Sequence, residues 1–290
     1  MKPIQKILCP VDFSEASVRA LQWSEFLAQK FDAKLAVLHV MDFFPAVAEL
    51  GLDYQQYQEE IASKLRTFVA PLKVPHETML STGDPARKIT ALVKAISADL
   101  VVMGTHGMRG AAHKLVGSST ESVVRSVSVP VVTVAPGCAS PGLAPVEAVL
   151  VPLSLLSRAP RGYVRLRKIF RELKAAATLL HVVPLSDPMF GSQFGANPFL
   201  VTTYETAERK QRLLSMGRRI LKERTVLEPA IRFGDVADEV LKEVESGKYN
   251  YLLMSVKNKT VLSRFLESIA YRVISRSPVP VITVKTPAGK

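Results

Sequence analysis

A glycine-rich segment in the first half of the chain has the residue types and spacing to hold an anion. Gly104 and Gly107 follow the apolar run Leu100–Met103, and nine residues later Gly117 precedes a run of hydroxyl side chains. The apolar run is typical of a buried parallel strand, and glycine lets a backbone turn or approach a ligand closely. The segment after Gly117 has the pattern of a helix start, whose first amides lack an acceptor within the helix. Such amides at the positive end of a helix attract phosphate.

A purely structural interpretation of the same residues is also open. In it, the glycines only form turns, and Ser118 and Glu121 form only a capping box. The nine-residue spacing and the second glycine-hydroxyl cluster, Gly117–Thr120, favour phosphate binding instead.

The pattern resembles that of the universal stress protein family, whose ATP-binding members carry Gly, two residues, Gly, nine residues, then Gly followed by Ser or Thr. Gly104, Gly107, Gly117 and Ser118 fit it without a gap. The family also has an Asp at the end of its first strand, and Asp12 stands there. The resemblance covers essentially the whole chain. It implies an α/β fold of two tandem open parallel-sheet domains, each with strand order 3-2-1-4-5 and helices on both faces.

The resemblance implies a site for ATP or AMP, with or without Mg²⁺, in the first half of the chain, and a backbone contact to adenine near Val40. Open parallel sheets bind ligands beyond the carboxyl ends of their strands, and Asp12 and Gly104 each follow a predicted strand. A carboxylate there can accept hydrogen bonds from ribose hydroxyls. The implied binding residues are Pro10, Val11, Asp12, Val40, Met103, Gly104, His106, Gly107, Arg109, Gly117, Ser118, Ser119 and Thr120.

An internal repeat organises the chain. Cys9–Asp12 aligns with Val151–Ser154 at an offset of 142, and Val129–Val134 aligns with Val279–Val284 at an offset of 150. Two copies of one domain explain these matches. A segment rich in proline and glycine lies between them, so we expect domains at 1–137 and 148–290 with a linker at 138–147.

Apolar runs and helical patterns alternate along the first copy, which predicts a parallel sheet covered by helices. Asp84 followed by Pro85 is a strong helix start, with Asp as the cap and Pro in the first helical position. The predicted strands are 4–11, 33–40, 75–81, 99–104 and 130–135, and the predicted helices are 14–31, 52–72, 84–96 and 118–127.

The second copy departs from the nucleotide-binding pattern. In the repeat alignment, Asp12, Gly104, Gly107 and Gly117 become Ser154, Ser255, Asn258 and Glu267. A carboxylate at a helix start repels phosphate, and lost glycines restrict close backbone approach. We therefore expect no ATP in the second domain and a structural and regulatory role for it. The resemblance further implies that the closing Val-Pro-Val strands pair across the two domains as an internal pseudo-dimer.

Composition limits the classes of protein that fit. With 290 residues, 48% of them hydrophobic, the chain can bury a sizeable core, and no apolar run approaches the roughly 18 residues of a membrane span. Met1–Pro10 is too short and interrupted for a signal peptide, which makes a cytoplasmic location the expectation. Cys9 and Cys138 are expected to be free thiols, and no cluster of metal ligands is visible.

The net charge of +12 lies almost wholly in the second half. Residues 1–143 hold 14 Lys and Arg against 13 Asp and Glu, and residues 144–290 hold 24 against 13, a balance of +11. Runs of basic residues on a helix are usually a solvated face. The alternative is a surface that binds an acidic protein, nucleic acid or anionic lipid. Among these partners we favour an acidic protein and disfavour nucleic acid. The basic residues on two predicted helices are Arg161, Arg165, Arg167, Lys168, Arg171 and Lys174, then Arg209, Lys210, Arg212, Arg218, Arg219, Lys222 and Arg224.

The chain shows no nucleophile with a base and an orienting third group, so at most weak ATPase activity is expected. We interpret His106 and His113 as exposed loop residues. The reading favoured by the sequence is an ATP-binding regulatory or interaction protein of the stress response that forms a dimer or other homo-oligomer. Two alternatives remain: a slow ATP hydrolase, and an interaction module whose basic second domain docks an acidic partner while nucleotide is vestigial.

Overall fold

A computed structural model describes nine stretches of the chain, and these divide between two compact units. The units are Met1–Pro136 with Ser140–Gly142, and Gly137–Ala139 with Leu143–Lys290. Within the described part of the chain, no helix is long and apolar enough to cross a membrane. The described residues are 4–41, 54–106, 116–142, 148–155, 166–173, 175–184, 198–221, 227–257 and 263–286.

The first unit is built on five parallel strands in the order 3-2-1-4-5, as predicted. The strands are β1 (Lys6–Val11), β2 (Lys34–Met41), β3 (His76–Thr82), β4 (Leu100–Gly104) and β5 (Val131–Val134). The helices between them are α1 (Glu15–Phe31), α2 (Tyr54–Val69), α3 (Pro85–Ala95) and α4 (Ser118–Ser126).

Helices cover both faces of this sheet, which is why its central strands are apolar throughout. Ile7, Leu8 and Cys9 of β1 are completely buried, and so are Val101 and Val102 of β4. Helix α1 packs on β1 and β4, whereas α3 packs on α4 and on β2. Because right-handed connections that step in opposite directions along a sheet use opposite faces, α1 and α2 lie on one face and α3 and α4 on the other.

Local sequence signals set the helix starts. Asp84 accepts a hydrogen bond from the Arg87 amide at 2.8 Å and caps α3, with Pro85 in the first helical position as predicted. Ser14 caps α1 through the Ser17 amide at 3.2 Å.

The second unit repeats this plan, with the strand order β8-β7-β6-β9-β10 that corresponds to 3-2-1-4-5. Asp235 caps one helix as Asp84 does in the first unit, and accepts from the Ala237 and Asp238 amides at 3.0 Å each. The strands are β6 (Ala148–Pro152), β7 (Ala176–Val183), β8 (Leu227–Phe233), β9 (Tyr251–Lys257) and β10 (Val281–Thr286). The helices are α5 (Leu166–Leu173), α6 (Pro198–Leu221), α7 (Val236–Glu245) and α8 (Ser263–Arg276).

Both cysteines are free and buried, which confirms the prediction of two free thiols. Burial raises the pKa of the Cys9 thiol to about 12. At neutral pH that thiol is therefore protonated, and Cys9 acts as a small apolar core residue.

One residue of the basic helices has a structural role that the charge pattern did not predict. Arg167 of α5 donates from Nε to the Ile220 carbonyl oxygen at 2.5 Å and from Nη2 to the Arg219 carbonyl oxygen at 2.8 Å. The last carbonyl oxygens of a helix lack hydrogen-bond donors and lie at the negative end of its dipole, so a guanidinium group satisfies them well. The interpretation of Arg167 as part of a solvated face is thus wrong. Of its predicted companions, Arg161, Arg165, Lys174, Lys222 and Arg224 lie outside the described residues.

Candidate functional site

The strand register brings the predicted site residues of three strands to one edge of the first sheet. Val11 of β1 pairs with His39 of β2, next to Val40. Leu8 pairs with Val101, so three residues further on Val11 is level with Gly104. The carboxyl ends of β1, β2 and β4 therefore meet around Asp12, at the kind of edge where open parallel sheets bind ligands.

Asp12 is held in place by two serines at the start of α1. Its Oδ1 atom accepts from the Ser14 amide at 3.1 Å, from Ser14 Oγ at 2.5 Å and from Ser17 Oγ. The Asp12 amide in turn donates to Ser17 Oγ at 2.9 Å. A carboxylate has about four acceptor sites on two oxygens, so it can accept from ligand hydroxyls in addition to these serines.

Phe13 turns the chain sharply between Asp12 and the helix. Its φ of +66° is uncommon for a bulky residue and carries backbone strain. The ring lies against His39 with centroids 4.5 Å apart, and Lys64 Nζ of α2 lies 4.5 Å from its centroid. Contacts with two elements thus stabilise a strained residue directly beside the predicted ligand carboxylate.

His39 joins β2 to the end of β1 through its side chain. Its Nδ1 lies 2.8 Å from the Val11 carbonyl oxygen, and since a carbonyl only accepts, Nδ1 carries the proton. In the second unit His181 makes the same bond to the Leu153 carbonyl oxygen at 2.9 Å. The bond occurs in both units, whereas Asp12 does not, so it belongs to the fold and not to the ligand site.

Gly104 owes its lack of a side chain to packing against α1. A Cβ atom there would lie 2.8 Å from Ala16 Cβ and 3.0 Å from the Ala16 carbonyl carbon. The φ of Gly104 is not in the left-handed region. The expectation that Gly104 permits a turn is therefore corrected: the residue lets α1 approach β4.

Two hydrogen bonds fix the start of α4 beside the end of β4. The Gly117 amide donates to the Thr105 carbonyl oxygen at 2.8 Å. Thr120 Oγ1 donates to the Gly104 carbonyl oxygen at 2.8 Å. Thr105 is completely buried, and its own amide bonds to Val134 at 3.0 Å, which ties this loop to β5.

The start of α4 presents amides that have no acceptor among the described residues. Gly117 is the N-cap and provides no side-chain cap, so the capping-box interpretation of Ser118 and Glu121 is wrong. The Glu121 side chain pairs instead with Arg125 Nη2 at 2.5 Å. No described residue accepts from the amides of Ser118–Thr120. These three donors stand at the positive end of a nine-residue helix, where an anion binds favourably.

The remaining predicted residues take different places. Pro10, Val11 and Met103 are buried, so only their backbones could contact a ligand. Val40 is half-buried. His106 is half-buried as well, so its interpretation as an exposed residue is wrong. Its carbonyl oxygen lies 3.5 Å from Ser14 Oγ, which brings the loops after β1 and β4 together. Gly107, Arg109 and His113 lie outside the described residues.

In the second unit, the register places the two serines where the repeat predicts them. Leu150 pairs with Leu252, so Leu153 is level with Ser255, as Val11 is with Gly104. Ser154 then follows the strand as Asp12 does and is exposed. Asn258 and the Glu267 side chain lie outside the described residues.

Ser14, Ser17 and Thr105 support the site and were missed by the sequence argument. An Asp followed two residues later by Ser is a signal for an Asx turn, and Ser at a helix start with a second Ser three residues on indicates a hydroxyl cluster there. Thr105 gave no such signal, because its contribution depends on the backbone of Gly117, twelve residues away.

Comparison with known proteins supports the same family in both halves. The sequence model of the universal stress protein family matches residues 3–135 and again 146–285. A universal stress protein of Methanocaldococcus jannaschii is 30% identical over 138 residues, 45% of this chain and 81% of the relative. Universal stress protein G of Salmonella typhimurium is 30% identical over 142 residues, 44% of this chain and 96% of the relative. The crystal structure of a universal stress protein from Archaeoglobus fulgidus is similar in fold, with a TM-score of 0.66, 20% identity and 98% coverage of each chain.

Proposed function

The chain belongs to the universal stress protein family, with two tandem domains, and on that premise we propose that the first unit binds ATP and that the protein acts as a nucleotide-dependent regulatory or interaction protein in the stress response. The second unit supports the first and does not bind nucleotide in the same way.

The observation that carries the proposal is the set of three amides at Ser118–Thr120, which find no acceptor in the described part of the chain. Ser119 is half-buried and Thr120 is buried, whereas Ser118 is exposed. Amides removed from water need a partner, and phosphate oxygens at a helix start provide one. Thr120 is 4% exposed and its hydroxyl already bonds to Gly104, so the amides are held rigidly toward the sheet edge.

Asp12 gives this anion site a nucleoside specificity. The carboxylate is oriented by Ser14 and Ser17 and lies at the same sheet edge as the start of α4. A carboxylate accepts hydrogen bonds from a ribose diol, whereas it repels a bare phosphate. Phosphate at α4 and ribose at Asp12 leave the adenine near the end of β2, where the backbone at Val40 can select it.

The test is mass spectrometry of nucleotide released from the purified chain, together with equilibrium binding of added ATP. We expect adenine nucleotide in wild type and its loss in Asp12→Ala. The matched control is Ser154→Ala, which removes a polar side chain at the equivalent position of the second unit. Wild type that retains no nucleotide and binds no added ATP would contradict the proposal and support the interaction module.

The same variants separate binding from hydrolysis. Release of ADP and phosphate that depends on Asp12 would make the protein a slow ATP hydrolase. Binding without product formation supports a regulator that is read through its nucleotide state. A requirement for Mg²⁺, the choice between ATP and AMP, the internal pairing of the two domains, a homo-oligomer, an acidic partner and a cytoplasmic location stay predictions.

A further inference from the structure

A cavity lies in the second unit, lined by the first residues of β6 and β7 and by most of β8. It has a volume of about 520 Å³, within the roughly 300–1,000 Å³ typical of ligand pockets. From it we propose a further binding site, for a small hydroxylated molecule that carries a phosphate or carboxylate group. The site is separate from the proposed nucleotide site, since every residue that lines it belongs to the second unit.

At one edge of the cavity, two lysines of the first unit are alanines in the second. Lys6 and Lys34 are paired across β1 and β2, and Lys6 Nζ lies 3.9 Å from Glu77 Oε1. At an offset of 142 the same positions are Ala148 and Ala176, which are paired across β6 and β7. Two long side chains are thus replaced by two methyl groups at the same register, and both alanines line the cavity.

One wall of the cavity is a closed network of polar side chains. Glu243, whose side chain is 10% exposed, accepts from Arg232 Nη2 at 2.6 Å and from the Tyr249 hydroxyl at 2.9 Å. Thr178 also lines the cavity. Burial raises the pKa of Tyr249, so its phenol remains neutral and donates. This wall is neutral as a whole and gives the cavity a fixed shape.

Three further charged groups line the cavity, and all three are exposed. Lys210 of α6, Lys248 after α7 and Glu228 of β8 line the cavity and have no hydrogen bond or ion pair to any other residue that the structure describes. Two cations against one carboxylate attract an anionic group, and ammonium groups bind phosphate and carboxylate through charge-assisted hydrogen bonds. Glu228 can only accept, so the ligand must also carry a donor such as a hydroxyl.

The experiment uses the full chain and three probes: glucose 6-phosphate, gluconate and glucose. Glucose 6-phosphate carries a phosphate and gluconate a carboxylate, each on a hydroxylated carbon chain, whereas glucose carries no anionic group. We expect chemical-shift titration to show binding of at least one oxyanion probe and at least about tenfold weaker binding of glucose. Lys210→Gln and Lys248→Gln should each weaken that binding by about tenfold, the loss of one charge-assisted hydrogen bond. The matched control is Lys242→Gln, which removes an equal charge from α7 at a lysine paired with Glu239 and outside the cavity.

The Ala176→Lys variant tests whether the probe needs the space of the cavity or is only attracted by its positive charge. It restores the lysine that the first unit has at this register, so we expect it to fold, which circular dichroism checks. It adds positive charge but fills the space, and we expect binding to be lost. The proposal would be overturned if neither oxyanion probe bound, or if glucose bound as tightly as they do. It would also be overturned if Ala176→Lys bound the probe as tightly as wild type or more tightly, or if Gly117→Val lost the binding.

Discussion

Gly104 and Gly117 belong to the same motif but have different structural roles. Gly104 leaves space for a neighbouring helix, since an added Cβ would lie 2.8 Å from Ala16 Cβ. Gly117 has φ −60° and ψ 146°, which any residue adopts, so its backbone conformation does not require glycine. Under the proposed function, the missing side chain at Gly117 allows close approach of a ligand, so we expect opposite effects of substitution at the two residues.

Gly104→Ala should destabilise the first unit. Overpacking of this kind costs about 1–3 kcal/mol, measured as a lower urea midpoint with an unchanged slope. Ala16→Gly in the same chain should rescue only part of the loss, because the Ala16 carbonyl carbon and oxygen still lie 3.0 and 3.1 Å from the added atom. Gly137→Ala is the control, with nothing within 4 Å of its added atom. A Gly104→Ala chain as stable as wild type would show that α1 is not packed as described.

Gly117→Val should have the reverse effect. Valine accepts the extended backbone of Gly117, so the urea midpoint should change little, whereas its side chain blocks the amides that must meet phosphate. We expect the dissociation constant for ATP to rise at least roughly a hundredfold in calorimetry. Gly137→Val is the matched control and should bind ATP as wild type does. Wild-type affinity in a folded Gly117→Val chain would refute the assignment of the phosphate site.

At the scale of elements, much of the fold could be predicted. Apolar runs and helical periods predicted the strands and helices of the first unit, and Asp84–Pro85 predicted the start of α3. The site was predicted less completely. The Asp12 carboxylate was evident, but the packing role of Gly104 depends on Ala16, and the anchoring of Gly117 depends on Thr105. Contacts between residues distant in sequence leave no local periodicity, so only the structure could reveal them.

The α5–α6 pair illustrates the same limit, and Arg167→Met tests it. Loss of two charge-assisted hydrogen bonds to the end of α6 should lower the free energy of unfolding of the second unit by about 1–3 kcal/mol. Arg212→Met on α6 is the control, since Arg212 is exposed and has no described partner. Equal urea midpoints for the two variants would mean that Arg167 is only a solvated charge.

The α7–α8 pair should be sensitive to acid. The hydrogen bond from the Asp238 amide lowers the pKa of Asp235 below its usual range, and Arg272 lowers it further, despite partial burial. Because the folded pKa is the lower one, Asp235 contributes stability above its unfolded pKa of about 3.9, and this is lost as the pH falls through the folded value. We expect Arg272→Met to lower stability by under about 1 kcal/mol at pH 7, since the pair is exposed, and by less at pH 3. A difference that grows toward pH 3 in urea unfolding would contradict this.

At the scale of the whole molecule, the chain is a duplication whose copies have kept their fold and diverged at their edges. Both units retain the strand order, the capping Asp and the histidine bond between the first two strands. Only the first retains Asp12 and Gly104, and only the second has lost the lysines at the amino ends of its strands. The shared features are those that packing requires, and divergence of the others fits the proposed division of labour between a nucleotide-binding unit and a second unit with other contacts.

The measurement that tests this account most directly is the stoichiometry of ATP binding to nucleotide-free full-length protein by calorimetry. We predict one ATP per chain, and loss of that site in Asp12→Ala but not in Ser154→Ala. Two equivalent sites per chain, with one removed by a substitution in the second unit, would show that Ser154 and Ser255 support nucleotide binding and would contradict the division of labour. A single site that survives Asp12→Ala and disappears in Ser154→Ala would contradict it as well.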